Sequence, residues 1–372
     1  MSVDALFQPL MLGTLEIPNR IIMAPLTRGR ASEANVPQPL MGTYYAQRAD
    51  AGLLISEATA VHPSGMGWYR VPGVWSAEQV AGWKGVTGAV HDAGGRIFCQ
   101  IWHMGRLVLP DYIGGAQPIA PSAIAAEGET FAPRPAGDDS HFLPMKPFVT
   151  PREMTQADID EMVAAYAQGA ENAMAAGFDG VEIHGANGYL IDQFLTSATN
   201  QRCDGYGGSL DNRTRFLREV IAAVVARVEP GRVGLRISPT SKRKGMEDEN
   251  PGALAHAIGT IAEAAGLAYV HLIEPIHAGF MDLPDDPVMA QLRATYSGAV
   301  IQNGGFSAEE GADFIARGAA EAISFGRPFM ANPDLVTRFR KGLPLAEVDF
   351  DYAYVGEEKG YCDYPAHAES VA

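Results

Sequence analysis

Eight short apolar runs, each separated from the next by a stretch of helical periodicity, constrain this chain more than any other property. They occupy residues 20–24, 52–57, 96–101, 180–184, 233–238, 269–273, 299–303 and 322–325. Runs this short and this uniformly apolar read as strands buried on both faces. The helical stretches between them are clearest at 158–176, 213–227, 254–265 and 308–317. The first of these has a start signal in Thr155, an N-cap followed by Asp158, and a stop signal in Gly177. Strand–helix alternation predicts parallel βαβ units, and eight of them predict an α/β fold closed into a (β/α)8 TIM barrel. A doubly wound sheet is the rival, but it would carry a GxGxxG turn after an early strand, and none is present.

Two segments fall outside the alternation. Residues 12–17 alternate like a small hairpin and are expected to plug the barrel from below. Residues 103–154, rich in Pro, Gly and Ala, form a connection far longer than usual after the third strand. They are expected to make a capping insertion over the mouth. No linker divides the chain, so residues 1–372 are expected to form a single domain.

Composition excludes several functions. A net charge of −16 argues against nucleic acid or an anionic membrane as the main partner, because both require positive patches. Hydrophobic content of 47% and charged content of 19% describe an ordinary globular protein. Cys99, Cys203 and Cys362 match no metal or redox spacing, so no metal site is expected and a reducing compartment is. The first residues lack the basic start and apolar core of a signal peptide. No apolar run approaches the ~20 residues of a transmembrane helix. A cytoplasmic enzyme is expected.

Chemistry concentrates just past the fourth run, in His184-Gly-Ala-Asn-Gly-Tyr189. His184 and Asn187 can both present N–H donors to one carbonyl oxygen, and the Tyr189 phenol can supply a proton. That set suits reduction of a carbon–carbon double bond conjugated to a carbonyl. The plain alternative has His184 capping a strand and Tyr189 packed in the core. Phosphates commonly bind after the seventh and eighth strands of a TIM barrel, and here those strands end in Asn303-Gly304-Gly305 and Gly326-Arg327. Glycines let backbone N–H groups approach phosphate oxygens, and Arg327 offers a fork of donors. The alternative makes these glycines tight turns. Arg236, in mid-strand, must be compensated, and an inward carboxylate such as Glu182 would do it.

The ordered motifs Phe7-Gln-Pro9, Pro18-Asn-Arg-Ile-Ile-Met-Ala-Pro-Leu-Thr27, Gln100-Ile-Trp102, the 184–195 segment, Asn200-Gln-Arg202, Tyr206-Gly-Gly-Ser-Leu210, Arg236-Ile-Ser-Pro239, Asn303-Gly-Gly305, Phe325-Gly-Arg327 and Gly360-Tyr-Cys-Asp-Tyr-Pro365 resemble the Old Yellow Enzyme family of FMN-dependent ene-reductases over nearly the whole chain. Thr27 places the resemblance in the Thr-containing branch. The resemblance implies FMN, with NADPH or NADH as hydride donor and an activated alkene (enone, enal, maleimide or nitroalkene) as substrate. It implies that Pro25, Leu26, Thr27, Gln100, Arg236, Asn303, Gly304, Gly305, Gly326 and Arg327 contact the cofactor. It assigns His184 and Asn187 to the substrate oxygen and Tyr189 to protonation of the α-carbon. Trp68, Tyr69, Trp102 and Phe280 are expected to wall the substrate pocket. The basic loop Lys242-Arg-Lys244 departs from the family pattern, and reads either as a solvated loop or as a receptor for the 2′-phosphate of NADPH. Two other readings stand beside this one: a flavin-free, phosphate-binding aldolase or isomerase barrel, and a non-catalytic flavin-binding barrel. The physiological alkene and the oligomeric state have no signal in the sequence.

Overall fold

In the computed structural model, which describes residues 2–134, 142–278 and 283–368, each expected strand forms. The barrel strands are β1 (Ile21–Met23), β2 (Leu53–Ile55), β3 (Ile97–Trp102), β4 (Gly180–Gly185), β5 (Val233–Ile237), β6 (Tyr269–Ile273), β7 (Ala299–Asn303) and β8 (Ala322–Phe325). All neighbouring pairs are parallel, and β8 pairs with β1, so the ring closes. The strands are uniformly apolar because helices cover one face and packed side chains fill the other.

The hairpin is Leu10–Leu12 paired with Leu15–Ile17. Its turn needs glycine: Gly13 has φ of +57°, and a Cβ there would lie 2.1 Å from the Gly231 carbonyl oxygen. Thr14 N–H donates to that same oxygen at 3.0 Å. Gly231 precedes β5, so the hairpin closes the end of the barrel where strands begin. Leu12 and Ile17 are buried there against Ile22, Leu53, Ile55, Phe98, Tyr269 and Ile301.

The helix at Gln156–Ala175 starts with the expected Thr155–Asp158 capping box, and Gly177 follows it at φ +89°. The helix expected from Arg213 begins earlier: a turn at Leu210–Arg213 capped by Ser209 precedes Arg215–Val225. The long insertion contains two small sheets. Ile119–Ala120 pairs with Arg152–Glu153, and Glu129–Phe131 forms a hairpin with Met145–Pro147.

One feature was not read from the sequence. Arg28, Arg30 and Arg48 are fully buried. Arg28 donates to the carbonyls of Ala353 (3.0 Å) and Gly360 (2.6 Å), and Arg30 to those of Tyr352 (2.7 Å) and Lys359 (3.1 Å). Tyr44 stacks on Tyr361 at 4.1 Å. These contacts strap the segment from Phe350 to Cys362 back across the loop after β1. Among the described residues, no helix is long and apolar enough to cross a membrane.

Candidate active site

At the end of the barrel where strands finish, a cleft of about 690 Å³ opens between the loops after β1, β4, β5, β6, β7 and β8. Nine of the residues named from sequence line it: Pro25, Leu26, Asn187, Arg236, Asn303, Gly304, Gly305, Gly326 and Arg327. Ala24, Pro25 and Leu26 give one wall an apolar surface. The glycines admit a backbone cradle: a Cβ on Gly304 would meet the Glu274 carbonyl oxygen at 2.2 Å, while Gly305 has φ of +87° and open space beside it. Thr27 follows Leu26 but is not among the lining residues.

Beneath the cleft the barrel interior is polar. Glu182 Oε2 bonds His271 Nδ1 at 2.8 Å, His271 Nε2 bonds Ser324 Oγ at 2.8 Å, and Gln100 donates to Glu182 Oε1 at 2.8 Å. Burial pushes the Glu182 pKa up, but His271, Arg236 and Gln100 outweigh burial and hold it below the usual carboxylate value. Burial lowers that of His271. The alternative for Arg236, an ion pair with Glu182, does not form. Arg236 instead donates to Asn303 Oδ1 at 3.2 Å, and its buried Nε has no partner. The carboxylate is occupied by the histidine and the amide, which leaves the guanidinium to face the cleft. Gln100 sits in this interior network rather than on the lining.

His184, Tyr189 and Trp102 form an aromatic cluster at the end of β4. The His184 and Tyr189 rings are 4.9 Å apart, Trp102 meets Tyr189 edge-on at 4.6 Å, and it lies parallel to His184 at 6.3 Å. The Nδ1 atom of His184 is buried without a hydrogen-bond partner. Burial, and then the charge of Arg236, hold this imidazole neutral, well below its usual pKa. Burial, and then Tyr354, raise the Tyr189 phenol to about 12. Desolvation is thus used twice to fix a protonation state, a neutral imidazole in buried His184 and a protonated phenol in partly buried Tyr189.

The expected aromatic walls are only partly assembled. Trp68 packs edge-on against Tyr354, which lines the cleft. Tyr69 instead lies under the Arg134 guanidinium at 5.2 Å and is absent from the lining. Phe280 lies outside the described residues. Sequence reading missed Tyr354 and Phe350, both delivered by the C-terminal strap, and Ser238, just past the end of β5. The tail motif Gly360–Pro365 was the available signal for the strap. In the basic loop, Lys242 pairs with Asp285 at 2.8 Å and Glu247 at 3.5 Å, while Lys244 tucks its ammonium over Phe148 at 5.0 Å. Among the described residues, no group of three or more His, Cys, Asp or Glu is arranged to hold a metal ion.

Residues 5–346 match the NADH:flavin oxidoreductase / NADH oxidase family. Among similar proteins is a probable flavin mononucleotide-dependent alkene reductase of Leishmania infantum, 42% identical over 98% of each chain. Another is 12-oxophytodienoate reductase 2 of Arabidopsis thaliana, 39% identical over 99% of this chain and 96% of that one. Among solved structures, morphinone reductase superposes with a TM-score of 0.92 at 44% identity, over 97% of this chain and 96% of that one. An old yellow enzyme homologue from Zymomonas mobilis gives 0.92 at 40% identity, over 97% and 99%.

Proposed function

The chain belongs to the NADH:flavin oxidoreductase / NADH oxidase family, and on that premise we propose that it is an FMN-dependent ene-reductase. It draws on NADH or NADPH and reduces the C=C bond of a small alkene activated by a carbonyl or nitro group. The observation that carries this reading is a set of unsatisfied polar groups beside the cleft: Nδ1 of neutral His184 and Nε of Arg236, next to Asn187 and the protonated Tyr189.

The residues present suit FMN. Ala24, Pro25 and Leu26 offer a flat apolar wall for a ring system, and Arg236 offers positive charge that no carboxylate neutralises directly. Gly304, Gly305, Gly326 and Arg327 would hold the phosphate, with Thr27 and Gln100 toward the polar edge of the ring. When bound, FMN supplies what no side chain here can, reversible storage of a hydride between nicotinamide and alkene.

The chain's own groups then act on the alkene. His184 and Asn187 donate to its carbonyl or nitro oxygen, orient it, and stabilise negative charge as it develops there. Because the imidazole is neutral, it donates a hydrogen bond without surrendering a proton. Tyr189 gives its proton to the α-carbon, and a phenol at about 12 is protonated at every physiological pH. Trp102 and Trp68 exclude water from that side. A flavin-free aldolase or isomerase would need a lysine or carboxylate base at the mouth. Among the described residues lining the cleft there is none. A receptor for the 2′-phosphate of NADPH is not placed on Lys242, which Asp285 and Glu247 already neutralise.

Purified protein supplied with FMN should be yellow, should bleach anaerobically on NADH or NADPH, and should recover its colour when cyclohexenone or a maleimide is added. A colourless protein that takes up no FMN overturns the reading.

A further inference from the structure

Asn187 and Gly188 are consecutive residues in the left-handed region, at φ +60° and +79°. Glycine adopts that conformation freely, whereas a side chain is strained there unless the surroundings hold it. What holds Asn187 is a single buried carboxylate. Its own N–H donates to Ser238 Oγ at 2.8 Å, and the N–H of Gly188 donates to Asp192 Oδ2 at 2.8 Å. The Ser238 hydroxyl in turn donates to the same Oδ2 at 3.4 Å. On the other side, Gln193 Nε2 donates to the Gly188 carbonyl at 2.7 Å and the Met104 carbonyl at 3.0 Å. The Asn187 side chain faces the cleft while its backbone is anchored from behind.

An ordinary helix cap does not explain this. Asp192 is the third residue of the helix Leu190–Leu195, and an acid there normally turns back to the N–H of the cap residue. The cap residue is Tyr189, yet its N–H bonds to Ala186, and Asp192 reaches past it to Gly188. The carboxylate is therefore committed to the loop that carries Asn187.

We propose that Asp192, acting through Ser238 and the Gly188 amide, is a positioning residue that aims the Asn187 carboxamide and so sets affinity for the oxygen-bearing end of the substrate. This rests on the ene-reductase reading of the same site. The ionised carboxylate is the stronger acceptor for both the hydroxyl and the amide, because both bonds are then charge-assisted; a proton on it weakens both and loosens the loop. Burial is the main influence on its ionisation, raising the pKa to about 7. Charges facing it come from other segments: Asp248, in the loop before the helix Pro251–Ala265, pushes the pKa up, and Arg106, after β3, pulls it down. Asp248 is itself paired with Arg213 at 3.1 Å, and Lys244 lies beyond Arg106, with its ammonium lowered to about 8 by burial. His184 stays neutral across this range and adds no step of its own.

The test uses the FMN-loaded protein. The dissociation constant of a saturated cyclic ketone is read from its perturbation of flavin absorbance, beside KM and kcat for the matching enone, on both sides of neutral pH. In the wild type, ketone affinity should weaken as pH falls through about 7. Asp192→Asn should remove that step. Ser238→Ala should weaken ketone binding and raise KM about tenfold, the loss of one buried hydrogen bond, with kcat within about twofold and Ser238→Thr restoring both. A wild-type ketone affinity independent of pH overturns the inference, and needs no variant to fold. So does a Ser238→Ala enzyme with unchanged ketone affinity, or one that loses FMN in step with ketone. Failure of the wild type to reduce any activated alkene is a separate result, and it overturns the functional reading instead.

Discussion

The same eight strands end in two chemically opposite layers. Where they begin, Leu12, Ile17, Ile22, Leu53, Ile55, Phe98 and Ile301 form a sealed apolar cluster under the hairpin. Toward the other end, Glu182, His271, Arg236, His184 and Asp192 are all buried, and two of their polar atoms, His184 Nδ1 and Arg236 Nε, have no partner. The lower layer is apolar apart from the Tyr269 hydroxyl, whereas the upper layer buries charged and titratable groups. A barrel tolerates buried charges at its mouth because the apolar floor supplies stability. Residues that violate packing rules are therefore the ones that mark the site.

The largest effect is expected at the mouth. Tyr189→Phe should slow alkene reduction by ~10²–10⁴-fold, the usual share of a general acid, while reduction of the bound flavin by nicotinamide stays nearly constant. Stopped-flow measurement of the two halves separates them, and equal slowing would make Tyr189 a packing residue. At the floor, Ile301→Ala should cost ~2–5 kcal/mol of unfolding free energy and leave the chemistry of the folded fraction intact. Denaturant titration and turnover per folded molecule check both parts; a direct effect on chemistry would mean that the layers are coupled. Arg327→Ala should weaken FMN binding by roughly ten- to a hundredfold, as expected when a charge-assisted hydrogen bond is lost. Fluorescence titration of the apoprotein measures it, and unchanged affinity would move the phosphate elsewhere.

The smallest effect concerns stability at the mouth. Burial raises the Asp192 pKa to about 7, so the folded state resists ionisation that the unfolded chain completes near pH 4. Stability should therefore fall as pH rises between those two values, because above them the folded chain must hold a charge that it disfavours. Asp192→Asn should be more stable than the wild type at pH 8, by on the order of 1–2 kcal/mol, and much less so at pH 5. Thermal unfolding at the two pH values gives the comparison. An advantage independent of pH would assign the gain to packing.

The floor was the more legible layer. Its strands announce themselves as apolar runs, and even the hairpin is visible in the alternation of residues 12–17. At the mouth, His184, Asn187, Tyr189 and the two glycine turns were visible because they cluster within a few residues at strand ends. Ser238 and Asp192 were not, since their role depends on a contact across the barrel between residues 46 apart. Arg236 was legible as a buried charge facing the site, but nothing in the sequence excluded Glu182 as its partner, because only the fold shows that His271 and Gln100 reach Glu182 first. Tyr69 was misplaced for a similar reason: adjacency to Trp68 does not determine which way a loop ring turns.

The buried arginines after β1 also govern how the molecule comes into being. The Gly360 carbonyl that Arg28 grips lies 332 positions further along the chain. During synthesis those guanidiniums wait for residues 350–362 to emerge before they find these acceptors and Tyr354 reaches the cleft. A product cut short before Phe350 would have every barrel strand and the glycine cradle, yet Arg28 and Arg30 would lack the carbonyls of Tyr352, Ala353, Lys359 and Gly360.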